Sequence, residues 1–376
     1  MDLASVVRPG DGIICGQACA EPQTLLEALV AQRARLAGAR LFLGASYSGI
    51  VKPEHADHLH LSSYGAIGQV RVLAHAGVLE ILPVPYSQLG GLIRSGKIGC
   101  DVVMLQVSPP NSRGEYSMGL AADYLLPAID TARALAAEVN DQVPWTHGDR
   151  VLRKEDFSLM VQSSRPPATL PAPKRTGREE AIGTHAAACV PEGATLEFGI
   201  GALPDAVCAF LKGHRRLAVH SGTVGDGVVK LGVERIACAM LIGSRRLFDF
   251  ARENAALRLR SSEYTHNAKV LSGIERFAAI NSAVEVDLGG QVNSEVANGN
   301  YVGAVGGAPD FARAASQSPG GVSIIVIPSS RIVERLNGPV TVGRSDAGFI
   351  VTEKGAADLR GCSLRERQIR LQKIAT

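Results

Sequence analysis

One local pattern occurs twice in this chain, and it limits the architecture more than any other feature. The first copy starts at Val7-Arg8-Pro9-Gly10 and runs through apolar Ile13-Ile14 to Gly16, Pro22, Leu25 and Leu29. The second starts at Val190-Pro191-Glu192-Gly193 and runs through Leu196 and Phe198 to Gly199, Pro204, Val207 and Leu211. In each, a turn glycine follows the valine by three residues and a second glycine follows six later. A proline then opens a segment with apolar residues at offsets of three and seven, which is helical spacing. A duplicated strand–turn–helix unit accounts for this match better than chance does. The length of 376 residues suits two domains.

The rest of the chain agrees with α/β architecture. Short apolar runs read as buried strands at residues 41–43, 102–105, 217–219 and 322–327. Residues 23–35, 122–138, 179–189 and 205–212 read as helices, and strands alternating with helices point to largely parallel sheets. Residues 281–293 alternate polar and apolar and read as a hairpin turning at Gly289-Gly290. Residues 164–174 carry four prolines, which fix φ and remove backbone donors. We place a linker at 166–175, between an N-terminal domain at 1–165 and a C-terminal domain at 176–376.

Composition excludes several functions. A net charge of +3 without a basic stripe argues against a nucleic-acid partner. The run Lys212-Gly213-His214-Arg215-Arg216 reads as a solvated helix end. No apolar stretch is long enough for a membrane span, and the first residues show no signal-peptide pattern. The seven cysteines, among them Cys15, Cys189, Cys208 and Cys238, lack CxxC spacing and read as buried reduced thiols of a cytoplasmic protein. His55, His58 and His60 have ligand-like spacing but sit in a polar segment that reads as a surface loop, so no metal is expected.

Two glycine-rich turns are the candidate binding elements. Glu197-Phe198-Gly199-Ile200-Gly201 leads from a strand into a helix whose first turn holds Pro204. Such a turn aims backbone N–H groups at an anion or a developing oxyanion, although taken by itself it reads better as a plain tight turn between strand and helix. The spacing is not that of a dinucleotide fingerprint. The second turn, Gly303-Ala304-Val305-Gly306-Gly307, again precedes a helix.

Several motifs together resemble the acetyl-CoA hydrolase/transferase family, which includes 4-hydroxybutyrate-, succinate- and butyrate-type CoA-transferases. In the C-terminal half these are residues 199–207, 220–229, 281–293 and 303–311, with Thr352-Glu353-Lys354-Gly355 and Leu364-Arg365-Glu366-Arg367. In the N-terminal half they are Val107-Ser108-Pro109-Pro110-Asn111-Ser112-Arg113-Gly114 and Glu138-Val139-Asn140. The resemblance implies two similar open α/β domains with the active site between them. It further implies coenzyme A or an acyl-CoA as substrate, a small carboxylate as a second substrate, and a homo-oligomer. Glu197, Phe198, Gly199, Ile200, Gly201, Gly303, Gly306 and Gly307 are then the residues expected to line the cofactor.

One departure stands at the centre of the motif set. The family's His-Thr-Glu-x-x-x-Asp-Gly appears here as His220-Ser221-Gly222-Thr223-Val224-Gly225-Asp226-Gly227. Gly222 therefore takes the place of the glutamate that the resemblance makes the nucleophile of a glutamyl-CoA thioester. Covalent catalysis needs a nucleophile, and glycine carries none. Glu263 and His266, in Ser262-Glu263-Tyr264-Thr265-His266-Asn267, are the candidates to polarise water instead, with His266 replacing an asparagine of the family. Each also has a plain structural reading, an ion pair for Glu263 and a local hydrogen bond for His266. Glu197 stands where the family usually has glutamine, and reads as a general base or as a paired glutamate. The expected activity is transfer or hydrolysis of small acyl-CoA esters without a glutamyl-CoA intermediate. The alternatives are a silent acyl-CoA binder and a subunit whose partner supplies the nucleophile. The resemblance also suggests further helix after Thr376.

Overall fold

The computed structural model describes residues 1–170, 176–199 and 201–375. Contacts divide the chain into two units. The first comprises Met1–Val84, Gln88–Leu170 and Ala239–Glu263; the second comprises Pro85–Ser87, Pro171–Cys238 and Tyr264–Thr376. Two short exchanges therefore break the sequence division at 166–175. Ala239–Glu263 counts with the first unit, and Pro85–Ser87 counts with the second.

In the first unit, β1 (Gly12–Cys15), β2 (Ala39–Leu43), β3 (Leu59–Ser63), β4 (Leu79–Ile81), β5 (Val102–Val107), β6 (Ala134–Asn140) and β7 (Leu159–Ser163) form one sheet in the order β4-β3-β2-β1-β5-β6-β7. The pairings are parallel. Strands β1, β5 and β6 are buried along their whole length, as parallel strands covered on both faces must be. Helix α1 (Gln23–Gln32) starts directly after Pro22 and turns its Leu25, Leu26 and Leu29 into the core with Ile13, Leu41 and Met104. A 3₁₀ turn, Arg33–Leu36, ends the predicted helix.

The reading of 122–138 as one helix needs correction. The helix covers only Leu125–Thr131, and the alanine-rich run that follows is β6, paired with β5 and β7. Alanine favours helix in isolation, but a short apolar run buried on both faces is ambiguous by periodicity, and sheet pairing decides it. The start of the proline segment is tied to the first unit. Asn140 donates to Arg165 O at 2.7 Å and Leu170 N–H to Gly243 O at 3.1 Å. Pro171 and Pro173 lie outside the described residues.

In the second unit, α2 (Gly177–Ala187) precedes β8 (Thr195–Phe198), α3 (Ala202–Phe210), β9 (Ala218–Val224), β10 (Phe277–Ser282), α4 (Ala308–Gln317), β11 (Val322–Val326), β12 (Phe349–Thr352), β13 (Gly355–Asp358) and α5 (Leu364–Ile374). These strands make up six of an eight-stranded sheet and run in the order β9-β8-β10-β11-β12-β13, with the pairings from β9 to β12 parallel and the terminal hairpin β12–β13 antiparallel. The first strand of each repeat, β1 or β8, is thus central, with parallel partners on both sides. The repeat seen in the sequence is a structural one. The predicted hairpin also forms, pairing Glu285 with Asn293 around Gly290 at φ 86°, where Asp287 accepts the N–H groups of Gly289 and Gln291 at 2.9 Å each.

The seven cysteines are free thiols, but Cys100, Cys189 and Cys362 are only partly buried. His55 lies in a 3₁₀ turn rather than a loose loop, and its Nδ1 accepts the Lys52 N–H at 3.0 Å. No helix among the described residues is long and apolar enough to cross a membrane.

Strand β1 opens where backbones nearly touch. A Cβ on Gly12 would come within 2.3 Å of the Gly99 carbonyl carbon, whereas one on Gly91, in the helix Leu89–Arg94, meets nothing within 4 Å. Gly12→Ala should therefore lower stability by about 2 kcal/mol through overpacking. Gly91→Ala should leave it unchanged or raise it by about 0.5 kcal/mol. Urea-unfolding midpoints of the two variants check this; equal midpoints would contradict it.

Candidate active site

In an open parallel sheet, ligands bind beyond the carboxyl end of the strand where the order reverses, and in the second unit that strand is β8. There β8 and β9 pair through Thr195–Ala218 and Leu196–Val219. Beyond that, side chains of β9 take over. Ser221 Oγ accepts the Phe198 N–H and donates to its carbonyl, at 3.2 Å each, and Thr223 Oγ1 donates to the same carbonyl at 3.2 Å. The Phe198 main chain is thereby occupied. The turn that follows has the backbone its glycines allow: Gly199 N–H donates to Ile280 O at 2.9 Å, and Gly201 has φ 123°. Ile200 lies outside the described residues. Helix α3 starts at Ala202 with Pro204 in its first turn, as expected.

Glu197 is buried on this strand, and Asn281 Nδ2 donates to its Oε2 at 2.7 Å. Burial pushes its carboxyl up to about 8, against the lowering effect of the Asn281 bond. Such a group holds its proton at pH 7 and cannot act as a base there. The protonated acid also explains how a glutamate is tolerated inside the sheet without a cation beside it.

Strand alternation sends Ser221 and Thr223 toward Phe198 and leaves Gly222 on the opposite face. That face is filled by His266. A Cβ at position 222 would lie 2.8 Å from His266 Nε2 and 2.9 Å from Cε1, and one at Gly307 would lie 2.7 Å from the same Nε2. The imidazole is only 4% exposed. Its ring packs against Tyr86 and Phe311, with ring centroids 4.7 and 4.6 Å away and the planes tilted by 34° and 43°, and Nδ1 is 2.9 Å from Thr265 Oγ1. His220 supports the same segment from β9. Its Nε2 is 3.1 Å from Thr265 O, and its ring packs on Tyr264 at 5.4 Å.

The second glycine turn serves three different needs. Gly303 allows a close backbone approach, since a Cβ there would fall 2.1 Å from Ser294 O, and its N–H is already given to Glu295 O at 3.0 Å. Gly306 has φ 57°, and its carbonyl accepts the Tyr86 N–H at 2.9 Å. Gly307 makes room for the His266 ring and precedes α4. Asp310, in the first turn of α4, accepts Ser87 N–H at 3.1 Å and Ser87 Oγ–H at 2.7 Å; burial raises its carboxyl to about 6.

The structure thus brings Gly222, His266 and Gly307 together. Glu263 does something else. It belongs to the first unit, where the Arg94 guanidinium grips its carboxylate from two nitrogens, Nη2 to Oε2 at 2.6 Å, above the bare Cα of Gly90. Of the two readings of Glu263, the ion pair is the one that forms. Sequence reasoning gave no role to Tyr86, Ser87, Asp310 or Phe311. The only signal available was the placement of Asp310 and Phe311 just after the glycine turn.

Comparison with known proteins agrees with this fold. The chain resembles the solved structure of RipA from Yersinia pestis, with a TM-score of 0.94 at 28% identity over 99% of this chain and 92% of that one. A 4-hydroxybutyrate CoA-transferase (abfT-2) from Porphyromonas gingivalis matches with a TM-score of 0.82 at 30% identity, over 100% and 92% of the two chains. Such neighbours define a two-domain α/β protein of CoA-transferase type. Residues 1–169 match the acetyl-CoA hydrolase/transferase N-terminal domain, and residues 243–376 match its C-terminal domain. The 4-hydroxybutyrate coenzyme A transferase of Clostridium kluyveri is 34% identical over 96% of this chain and 90% of its own length. The chain therefore belongs to the acetyl-CoA hydrolase/transferase family, a family of enzymes acting on acyl-CoA.

Glu197 makes a pH test possible. Its folded-state pKa is raised from the ordinary 4.5 of a glutamate, so the stability it contributes is present at low pH and is lost as pH rises through about 8. Glu197→Gln keeps an acceptor for Asn281 and removes the titration. Its melting temperature should match the wild type near pH 5 and exceed it by several degrees at pH 9. Parallel melting curves would refute the assignment.

Proposed function

We propose that this enzyme hydrolyses thioesters of small acyl groups with coenzyme A by direct attack of water, without a glutamyl-CoA intermediate. The carrying observation is the packing of the His266 imidazole against the bare Cα of Gly222, at the position where the family resemblance sets the nucleophilic glutamate. On this reading the acyl carbonyl approaches the turns at Gly199–Gly201 and Gly306–Gly307, and His266 accepts a proton from water as its oxygen attacks the carbonyl carbon. Collapse of the tetrahedral adduct breaks the C–S bond. The imidazolium returns its proton to the departing thiolate, giving free thiol and a carboxylic acid that ionises in solution. The hydrogen bond between Thr265 Oγ1 and Nδ1 holds the ring in place during both transfers. Among relatives, an acetyl-CoA hydrolase of Saccharomyces cerevisiae is 28% identical over 46% of this chain.

Free-thiol release from a panel of acetyl-, propionyl-, butyryl- and 4-hydroxybutyryl-CoA tests the proposal. Hydrolysis predicts thiol release without added carboxylate, and no borohydride-trapped glutamate in peptide mass spectra. A trapped glutamate would overturn it, and coenzyme A binding without turnover would make the chain a silent binder.

The packing also predicts how glutamate can be reinstated. Gly222→Glu alone should destabilise the protein and give no acyl exchange, because the new side chain meets the imidazole at once. Gly222→Glu with His266→Asn should restore folding and yield exchange between acetyl-CoA and a labelled carboxylate. Exchange by the single variant would contradict this.

A further inference from the structure

We infer that Pro85–Ser87 is a strap that sets the width of the slot holding the His266 imidazole, with Tyr86, Ser87 and Asp310 as positioning residues. The tripeptide counts with the second unit, although the chain on both sides of it belongs to the first. It docks along the glycine turn by a parallel bridge from Pro85 to Gly306, with the Tyr86 N–H bonded to Gly306 O at 2.9 Å. Two dipeptides then face each other. Tyr86-Ser87 supplies one ring and one donor pair, and Asp310-Phe311 supplies the carboxylate that accepts them and the second ring.

Each clamp residue is the chain neighbour of an aromatic ring that touches the imidazole. The Ser87–Asp310 hydrogen bonds, at 2.7 and 3.1 Å, therefore tie the two walls of the slot together. The two rings lie 4.7 and 4.6 Å from the imidazole centroid, tilted to it by 34° and 43°, contacts close enough to leave little slack. The ring edge is fixed independently, by Thr265 on one side and by the bare Gly222 and Gly307 on the other. Loss of the clamp frees the ring to tilt without removing any group that meets water or substrate. A half-buried, charge-assisted bond of this kind is costly to leave half-made, which gives the strap its hold.

This inference rests on the hydrolytic reading only for its effect on rate; the effect on the ring stands alone. The test uses the full chain labelled with ¹³C-histidine, the His266 resonance being assigned by its disappearance in His266→Gln. Ser87→Ala and Asp310→Ala should each shift or broaden that resonance and lower kcat for thiol release about tenfold with little change in KM. Ser87→Thr should restore both, and the double variant should be no worse than either single one. If an alanine variant fails to fold, Asp310→Asn, which keeps the side-chain shape, should give a smaller shift of the same kind. A folded clamp variant with an unmoved His266 resonance overturns the strap. Thiol release that survives His266→Gln overturns the hydrolytic reading instead, while a shifted resonance still supports the strap.

Discussion

The candidate site depends on one steric fact: the edge of the His266 ring and the α-carbons of Gly222 and Gly307 occupy neighbouring space, with no room for a β-carbon at either glycine. Everything else in the second unit's site is arranged around that contact. Ser221 and Thr223 turn the other way, to Phe198, and so leave Gly222 facing the ring. Thr265 meets Nδ1, while the rings of Tyr86 and Phe311 pack against the imidazole. Absence of a side chain at 222 is thus half of a packed pair. The other half is the imidazole that has taken the volume, and a protein interior packed to crystal density tolerates neither a void nor an overlap there.

The same logic sorts the acidic groups. Glu197 is buried with an amide partner and keeps its proton at neutral pH, so it adds no negative charge beside the glycine turn. Asp310 is half-buried, two donors from Ser87 hold it, and it serves as an anchor. Glu263 faces an arginine at a partly exposed position. Each of the three therefore has a structural task. His266 fills the second unit's glycine-flanked slot, beside Gly222 and Gly307.

Much of the fold was legible because it is written in short-range terms. The paired glycines and the following proline marked β1–α1 and β8–α3 in both repeats, and Gly289-Gly290 marked the hairpin, since each requires a turn that few other residues make. The alanine-rich strand β6 was misread because its helical composition is overruled by pairing on both sides, which no local pattern reports. The site was legible only in part. Gly222 and His266 stood out as departures from a motif, but their contact lies across two segments joined only by folding. Tyr86 could not be found at all, because nothing in its own surroundings points to a ring in the second unit. Glu263, so close to His266 in sequence, was drawn away by Arg94, a partner with no sequence signature.

The central claim is the mutual exclusion of a side chain at 222 and the imidazole at 266, and a double-mutant cycle on stability measures it directly. Gly222→Ala should cost about 1–3 kcal/mol in the presence of His266 and markedly less when His266 is alanine, giving a coupling of at least about 1 kcal/mol. Strict additivity of the two substitutions would mean that the ring does not occupy the space beside Gly222, and the account of the site would be wrong.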